Sequence, residues 1–301
     1  MAFEHLTDIT KRLTTSTDRP RRVAVISAED ARVLEAVAKA RREGVVEPVL
    51  IGNKEGIVRL LKDAGEDTVR YRIIDEPNGS EAAYLAIEMI RNGSADFLMK
   101  GSIHTSVILK TILNKERGLP VDGLMSSLCI LEIPKYHKLL AITDGAIVIQ
   151  PDLNQKKLMI ENTVRTLRAM GYERPKVAAL TATESVSPRI QDTLDAAMLK
   201  EMNQRGEIPD CVVEGPISLD LALDREACRT KGFKSEVGGD ADLVLAPNIT
   251  AANALIKSLR LMGGAESANL VLGSKVPIVL TSRGASVKTK YLSLLVTAAA
   301  V

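Results

Sequence analysis

Aromatic side chains are scarce in this sequence, and so is an excess of charge of one sign. The 301 residues include five tyrosines, three phenylalanines and no tryptophan. Lys plus Arg number 40 and Asp plus Glu number 38, which gives a net charge of +2. Nucleic-acid-binding proteins usually carry a basic face, and those that bind single strands stack the bases on aromatic rings. No nucleic-acid partner is therefore predicted.

Cysteines and long apolar runs are few as well. Cys129, Cys211 and Cys228 form no CxxC pair, which argues against a disulfide framework and against a zinc site. The N-terminal residues include acidic side chains and no apolar stretch, so no secretory signal is predicted. The most apolar segment, 292–301, has about half the ~20 residues that a membrane span needs. We expect a cytoplasmic protein with reduced thiols and no membrane partner.

Several catalytic motifs are missing. The sequence contains no HExxH, no GxSxG, no GxxxxGK[ST] and no GxGxxG after its first predicted strand. These absences argue against a metalloprotease, a serine hydrolase, a P-loop NTPase and a standard dinucleotide-binding domain. No cluster of metal ligands stands out. We expect neither a metal nor a permanently bound cofactor.

Short apolar runs alternate with longer amphipathic stretches along most of the chain. Continuous apolar strands between helices indicate βαβ units and a mostly parallel sheet. Strands are predicted at 22–27, 47–52, 71–75, 96–101, 140–151 (one or two strands), 176–182, 210–216, 241–247 and 276–284. Helices are predicted at 28–44, 54–63, 80–91 with Ser80 as cap, 154–170, 188–203, 250–262 and 287–300, with a further helix carrying Lys110.

Polar residues follow two of these strands, where ligands bind in open parallel sheets. Gly101, Ser102, His104 and Thr105 lead into the helix that carries Lys110, and small residues at a helix start expose N–H groups to an anion. Taken alone, an ordinary capped helix with a solvated lysine explains this segment better.

The strand at 276–284 runs into a second polar segment. Ser282, Arg283, Gly284 and Ser286 suit a phosphate or carboxylate, which the guanidinium binds bidentately. A plain turn with an exposed arginine explains this short string about equally well.

Two further polar residues come from the middle of the chain. Asp144 lies in or beside an apolar strand, and a buried carboxylate needs partners or a raised pKa. It is either a general base or a residue that fixes a neighbouring loop. Asn253 lies on the helix after the strand at 241–247, where ordinary helix capping is the favoured explanation of the polar residues.

Taken together, six stretches resemble the phosphate acetyl/butyryl transferases, and most of all the butyryltransferase branch. Residues 1–90 match mainly in their alternation of strands and helices. The six stretches run in order along nearly the whole chain: 96–101 with 105–114, 142–152, 176–200, 214–223, 239–259 and 276–286.

The resemblance implies the fold of isocitrate and isopropylmalate dehydrogenases, with two three-layer α/β domains, mostly parallel sheets and an interdomain cleft. By analogy, domain one is 1–123 plus 272–301, and domain two is 124–271. The implied reaction converts acyl-CoA and inorganic phosphate into acyl phosphate and CoA, with an acetyl or butyryl group and without metal or nicotinamide. CoA is then a substrate, and a homodimer or larger homo-oligomer is expected.

The resemblance also implies roles for single residues. Arg283 would bind phosphate, Ser282 would donate a hydrogen bond to the reacting centre, and Lys110 stands where the acetyl enzymes carry an arginine. The other residues expected to line the substrate site are Ser102, His104, Thr105, Gly284, Ser286, Asn253 and Thr289.

One departure from the family concerns the base. The acetyl enzymes carry an aspartate where this chain has Thr289, and threonine is no base at neutral pH. A thiol of pKa about 8.5 needs only modest help. Lys288 and Lys290, or Asp144 from the other domain, are the candidates. The missing aspartate favours the butyryl branch.

Three alternatives stay open. A metal- and NAD-dependent hydroxy-acid dehydrogenase of the same fold would need several acidic ligands, for which Asp220, Asp240 and Asp242 are candidates without a recognised spacing. A non-catalytic protein that binds acyl-CoA or phosphate would have lost its base. A phosphate acyltransferase that uses acyl carrier protein would want a basic docking patch, which the near-neutral charge does not promise.

Overall fold

The computed structural model describes residues 3–16 and 19–301, and helices alternate with strands over most of them. The helices are α1 (Asp8–Ser16), α2 (Ala31–Arg42), α3 (Lys54–Asp63), α4 (Gly79–Arg91), α5 (Thr105–Ile112), α6 (Leu153–Ala169), α7 (Gln191–Gln204), α8 (Leu219–Leu223), α9 (Arg225–Lys231), α10 (Ile249–Leu261) and α11 (Val287–Ala299). The strands are β1 (Arg21–Ile26), β2 (Val46–Gly52), β3 (Arg72–Asp75), β4 (Phe97–Lys100), β5 (Val121–Glu132), β6 (Leu140–Thr143), β7 (Lys176–Leu180), β8 (Val212–Ile217), β9 (Leu243–Leu245), β10 (Glu266–Ser274) and β11 (Ile278–Val279).

The chain forms two compact units. The terminal unit comprises residues 6–122 and 268–301, and the central unit comprises residues 3–5 and 123–267. Residues 3–5 lie with the central unit because the Phe3 carbonyl accepts from Leu139 N at 3.1 Å and His5 Nδ1 lies 2.9 Å from Glu132 Oε1. The division into two α/β domains at 123/124 and 271/272 stays a prediction.

The terminal unit is built on six strands in the order β3-β2-β1-β4-β11-β10. All neighbouring pairs are parallel except β10 with β11. Every residue of β4, and the last four of β1, are buried. Because successive side chains of a strand point to opposite faces, both faces of the sheet are covered here. α2 packs with α11, and α4 packs with α5.

The central unit has five strands in the order β5-β6-β9-β7-β8. β5 pairs antiparallel with β6, and the remaining pairs are parallel. All residues of β6 and β9 are buried. The predicted α/β class with mostly parallel sheets is therefore confirmed, whereas the interdomain cleft stays a prediction.

Several predicted elements differ from the structure. β5, β10 and α1 were not predicted at all. The strand expected at 276–284 is only Ile278–Val279. The segment 140–151, expected to hold one or two strands, holds one, Leu140–Thr143. The cap of α4 is Asn78 and not Ser80: the Asn78 side chain accepts hydrogen bonds from the amides of Ser80 and Glu81, which lie inside the helix.

The described helices include none that is both long and apolar enough to cross a membrane.

The strand order of the terminal unit reverses between β1 and β4. The chain passes from β1 to β2 and β3 on one side, then crosses to β4 on the other side. Ligands of open α/β sheets bind at such a switch point, beyond the carboxyl ends of the strands. Gly101 lies at this point, and its amide donates to the Ile26 carbonyl at 2.8 Å.

We expect Gly101→Ala to destabilise the protein strongly. An added Cβ would lie 2.0 Å from the Ser27 carbonyl oxygen and 2.7 Å from that of Ile26, and backbone atoms cannot move aside cheaply. Overpacking of this kind costs about 1–3 kcal/mol or more. Urea unfolding of the two proteins measures the difference.

Gly284→Ala is the control, since its added Cβ would meet nothing within 4 Å. An equal loss of stability in both variants would contradict the assignment of Gly101 to a close backbone approach.

Candidate active site

Three strand ends meet at one edge of the terminal unit. β4 lies between β1 and β11, and all three run parallel. The polar segments that follow β4 and β11, which the sequence singled out separately, therefore start from neighbouring strands. The segment that follows β1, with Ser27 and Glu29, joins them.

The segment after β4 is held by its backbone and by one carboxylate. Ser102 N donates to the Ser27 carbonyl at 2.7 Å, and Ser102 Oγ donates to Glu29 Oε1 at 3.2 Å. The second carboxylate oxygen of Glu29 is buried and has no hydrogen-bond partner among the described residues. Ser102 is thus oriented by a group that the sequence did not single out.

Helix α5 starts with amide groups that no side chain caps. Its N-cap residue is His104, whose side chain accepts no hydrogen bond from the helix. The first turn of a helix has N–H groups without partners and a partial positive charge, which favours an anion. His104, Thr105 and Lys110 are exposed.

The segment after β11 forms an exposed turn that leads into α11. Ser282, Arg283 and Gly284 are exposed, and the Arg283 carbonyl accepts a hydrogen bond from Arg32 Nη2 at 2.7 Å. The Arg283 guanidinium pairs with no carboxylate of the described residues. It is therefore available to an anionic ligand.

The first turn of α11 is closed by its own hydroxyl groups. Ser286 is the N-cap, and its Oγ accepts from Thr289 N at 3.1 Å. Thr289 is buried, and its Oγ1 lies 3.1 Å from Ser286 Oγ. The hydroxyl of Thr289 thus belongs to the helix cap in this arrangement.

Two buried lysines lie at the same edge. Lys100 ends β4 and is 3% exposed, and Lys290 on α11 is 2% exposed. Burial lowers the pKa of Lys100, and the positive charges of Lys290 and Arg283 lower it further, while Asp30 opposes the shift. Burial also lowers the pKa of Lys290, with Asp30 opposing and Arg32 adding to the shift.

Asp144 lies in the central unit and is 1% exposed. One oxygen, Oδ1, accepts from Ser127 Oγ, Ala146 N and Ile147 N; the other, Oδ2, accepts from Ser127 N and Val148 N. Both oxygens are therefore occupied by donors of the chain itself. Of the two roles that the sequence left open, these contacts favour fixing the loop.

Asn253 secures the same loop from α10. Its Nδ2 donates to the Gly145 carbonyl at 2.9 Å. The helix is capped by Asn248, whose side chain accepts from Ala251 N at 3.0 Å. Capping by Asn248 is as expected, while Asn253 has a separate contact of its own.

The acidic residues that a dehydrogenase would use for metal are engaged in ion pairs. Asp242 Oδ1 lies 2.6 Å from Lys138 Nζ, and Asp220 Oδ2 lies 2.8 Å from Lys231 Nζ. Asp240 contacts His137 at 2.7 Å and three cationic side chains, Lys138, Lys176 and Arg225. No group of three or more His, Cys, Asp or Glu side chains among the described residues is arranged to hold a metal ion.

Comparison with known proteins identifies the family. The family model described as phosphate acetyl/butaryl transferase matches residues 54–298. The chain belongs to the phosphate acetyl/butyryl transferase family. It is an acyltransferase, and the resemblance drawn from the six stretches is confirmed.

Two relatives match nearly end to end. The chain is 44% identical to phosphate acetyltransferase of Thermotoga maritima over 278 residues, covering 92% of this chain and 94% of the relative. It is 40% identical to phosphate butyryltransferase of Clostridium acetobutylicum over 274 residues, 91% of each. These two identities do not separate the butyryl branch from the acetyl branch.

Solved structures agree on the fold. A branched-chain phosphotransacylase from Enterococcus faecalis superposes with a TM-score of 0.83 at 28% identity, covering 93% of this chain and 98% of that one. A 4-hydroxythreonine-4-phosphate dehydrogenase from Klebsiella pneumoniae gives a TM-score of 0.60 at 12% identity, covering 95% and 99%. The second likeness shows the fold alone. The likeness to isocitrate and isopropylmalate dehydrogenases stays a prediction.

Sequence reasoning missed part of the site. Glu29, Arg32 and Lys100 were not singled out, and Lys290 was expected only as an aid to the thiol. A lysine that ends an otherwise apolar strand is the one local signal for Lys100. Glu29 and Arg32 follow β1, and only the strand order shows that they share an edge with Ser102 and Arg283.

We expect Asp144→Asn to destabilise the protein by about 2–4 kcal/mol, because an amide leaves buried N–H donors without an acceptor. Asp152→Asn is the matched control: Asp152 caps α6 with its side chain, and asparagine caps equally well. Denaturant unfolding of both variants gives the two free energies.

A folded Asp144→Asn protein of unchanged stability that lacks activity would instead identify Asp144 as a base.

Proposed function

We propose that the strand-end site of the terminal unit binds the phosphoryl group while the enzyme moves a short acyl group between CoA and inorganic phosphate. One observation carries this proposal: Arg283 lies exposed and without a carboxylate partner in a turn beside the switch point of the sheet. The planar guanidinium matches two phosphate oxygens at once. Family membership supplies the reaction.

The reaction needs a site that binds a dianion next to a thioester. A phosphate oxygen attacks the thioester carbonyl carbon, and a tetrahedral species with a negative oxygen forms. The C–S bond then breaks, acyl phosphate is released, and the proton from the attacking phosphate ends on the CoA sulfur. Donors that are already in position lower the energy of the tetrahedral species most.

We assign the residues of the terminal unit accordingly. Arg283 binds phosphate and Ser282 donates a hydrogen bond to the reacting centre. The uncapped start of α5, with His104 and Thr105, offers its amides to the same anion, and Lys110 supplies a second, looser contact. Ser102, Gly284 and Ser286 complete the polar edge, and Thr289 supports it through the cap of α11.

In the central unit we assign Asp144 and Asn253 to loop positioning. Both make hydrogen bonds to the segment 144–148. Substrate contact by Asn253, a base role for Asp144 and the aid of Lys288 or Lys290 to the thiol stay predictions.

Four finer statements also stay predictions. They are the butyryl preference, location in the cytoplasm, assembly into a homodimer or larger, and the absence of a permanently bound cofactor. The three cysteines are free and buried, and burial raises the pKa of the Cys129 thiol to about 12 and that of Cys211 to about 12. None of the three is therefore proposed as a nucleophile.

The test is thiol release from acetyl-, butyryl- and octanoyl-CoA, with and without inorganic phosphate. We expect release only with phosphate, and a loss on the order of a hundredfold in Arg283→Ala, because two charge-assisted hydrogen bonds disappear. Arg283→Lys keeps the positive charge but lacks the planar, bidentate guanidinium group, and it should recover part of the rate.

Arg72→Ala is the control, since Arg72 is an exposed arginine of the same unit on edge strand β3. Folded protein that binds CoA and releases no thiol from any of the three substrates would overturn the enzymatic proposal and favour a binding protein. Normal activity in Arg283→Ala would remove Arg283 from the site.

A further inference from the structure

We infer that the buried amino groups of Lys100 and Lys290 form, together with Arg283, the binding site for the phosphate dianion. This inference rests on the proposed function, since it names the groups that hold one of the two substrates. It adds two positive charges to the edge at which Ser282 and Arg283 were placed.

Burial without a counter-ion is the first observation. Lys100 is 3% exposed and Lys290 is 2% exposed, and neither forms an ion pair with a carboxylate of the described residues. Buried charges in proteins are normally paired or bound to a ligand, because removing an ammonium group from water without compensation costs several kcal/mol. A pair of such groups at one edge therefore points to an anion.

The hydrogen bonds of the two amino groups also leave capacity for a ligand. Lys100 Nζ donates to the Gly101 carbonyl at 3.2 Å. Lys290 Nζ donates to Thr281 Oγ1 at 3.1 Å and more weakly to the Ser282 carbonyl at 3.5 Å. An ammonium group has three donors, so Lys100 keeps two and Lys290 at least one. All of the acceptors that they use lie at the ends of β4 and β11, next to the exposed turn.

The charges that face the pair leave an excess of positive sign. Asp30 is the acidic group that acts on both lysines, and it already accepts a hydrogen bond from Val33 N at the start of α2. Arg32 and Arg283 add positive charge. Asp30 and Glu29, which lies at the same edge, cannot neutralise two lysines, Arg32 and Arg283, whereas a phosphate dianion offers two charges and several acceptor oxygens.

The three cations make different kinds of contact with the phosphate. Arg283 lies on the exposed turn and suits the planar, bidentate contact. Lys100 and Lys290 contact the backbone at the strand ends and act as point charges with free donors. Lys110, on the exposed surface of α5, is the weaker candidate because water screens its charge.

Direct binding is the first test. We expect Lys100→Met and Lys290→Met each to weaken binding of inorganic phosphate and of sulfate about tenfold or more, as the loss of one charge-assisted hydrogen bond does. Titration calorimetry measures both anions. In the acyl-transfer assay the KM for phosphate should rise, while the KM for butyryl-CoA should change much less. Lys62→Met, which removes an exposed lysine of α3, is the control.

The stability of the two methionine variants distinguishes anion binding from a purely structural role of the lysines, because the two roles predict opposite changes. Without an anion, both methionine variants should be at least as stable as the parent protein, because an unpaired buried charge is replaced by an apolar side chain. Sulfate should raise the melting temperature of the parent more than chloride at equal ionic strength. Loss of stability in both variants, with unchanged sulfate binding, would make the lysines structural and overturn the inference.

Proton uptake tests the parent protein without any substitution. An anion raises the pKa values of the two lysines, which burial lowers in both and which the charge of Lys290 lowers further in Lys100. Sulfate binding should therefore take up more protons as the pH rises toward the ordinary pKa of lysine, about 10.4, and its affinity should fall in the same direction. Calorimetry in two buffers of different ionisation enthalpy measures the uptake, and absence of uptake together with pH-independent binding would count against the site.

The outcomes also separate this inference from the proposed function. Acyl transfer with an unchanged KM for phosphate in both methionine variants overturns the lysine site and leaves the enzyme in place. Weaker phosphate binding in both variants, in a protein that transfers no acyl group, keeps the anion site and removes the proposed function.

Discussion

The pairing of β4 between β1 and β11 is the constraint on which the terminal unit depends. It aligns three carboxyl ends at one edge, and it brings the backbone of Gly101 within hydrogen-bond distance of Ile26. A side chain at position 101 would prevent that approach. Ser102, the start of α5 and the Ser282–Gly284 turn all take their places from this alignment. The position of the proposed anion site therefore follows from the topology of the sheet.

In the proposed site, stability and function place opposite demands on this edge of the sheet. Its strands are otherwise apolar, and Leu98, Met99 and Val279 are fully buried. An apolar residue in place of Lys100 would suit such surroundings better, because a buried unpaired ammonium group is unfavourable by several kcal/mol. Local violations of the packing rules concentrate at functional sites in natural proteins. The surrounding core of the terminal unit offsets this unfavourable term, and in the proposed site it keeps the charges in position for a ligand.

Sequence patterns predicted the parallel strands well and the antiparallel ones poorly. Strands that are buried on both faces are continuous apolar runs, which are easy to recognise. Helix α3 has the predicted bounds because its apolar residues have helical spacing and Asn53 caps its start. β10 interrupts its apolar residues with Ser, Asn and Gly, yet most of it is buried. Its place in the sheet depends on pairing with β11, which no local pattern shows.

The residues of the candidate site were also only partly predictable from the sequence. Ser102 and Arg283 were singled out because each comes at the end of an apolar strand, and the family resemblance then implied their roles. Lys100 and Lys290 are 190 positions apart in the chain, as their residue numbers show. What makes them a pair is the adjacency of β4 and β11, together with the burial that the sheet and α11 impose. Burial of a charge is a property of the tertiary structure, so the burial of these two lysines could not be predicted from the sequence alone.

The threonine at position 289 fits a site that depends on uncompensated positive charge. A carboxylate there would stand directly before Lys290 in the first turn of α11 and would add a negative charge at this edge. Thr289 instead shares its hydroxyl with Ser286 in the helix cap. Positive charge lowers the pKa of a nearby thiol and favours the thiolate without a base. In the proposed site, the cations that hold phosphate would therefore also ease departure of the CoA sulfur, and an aspartate would oppose both effects.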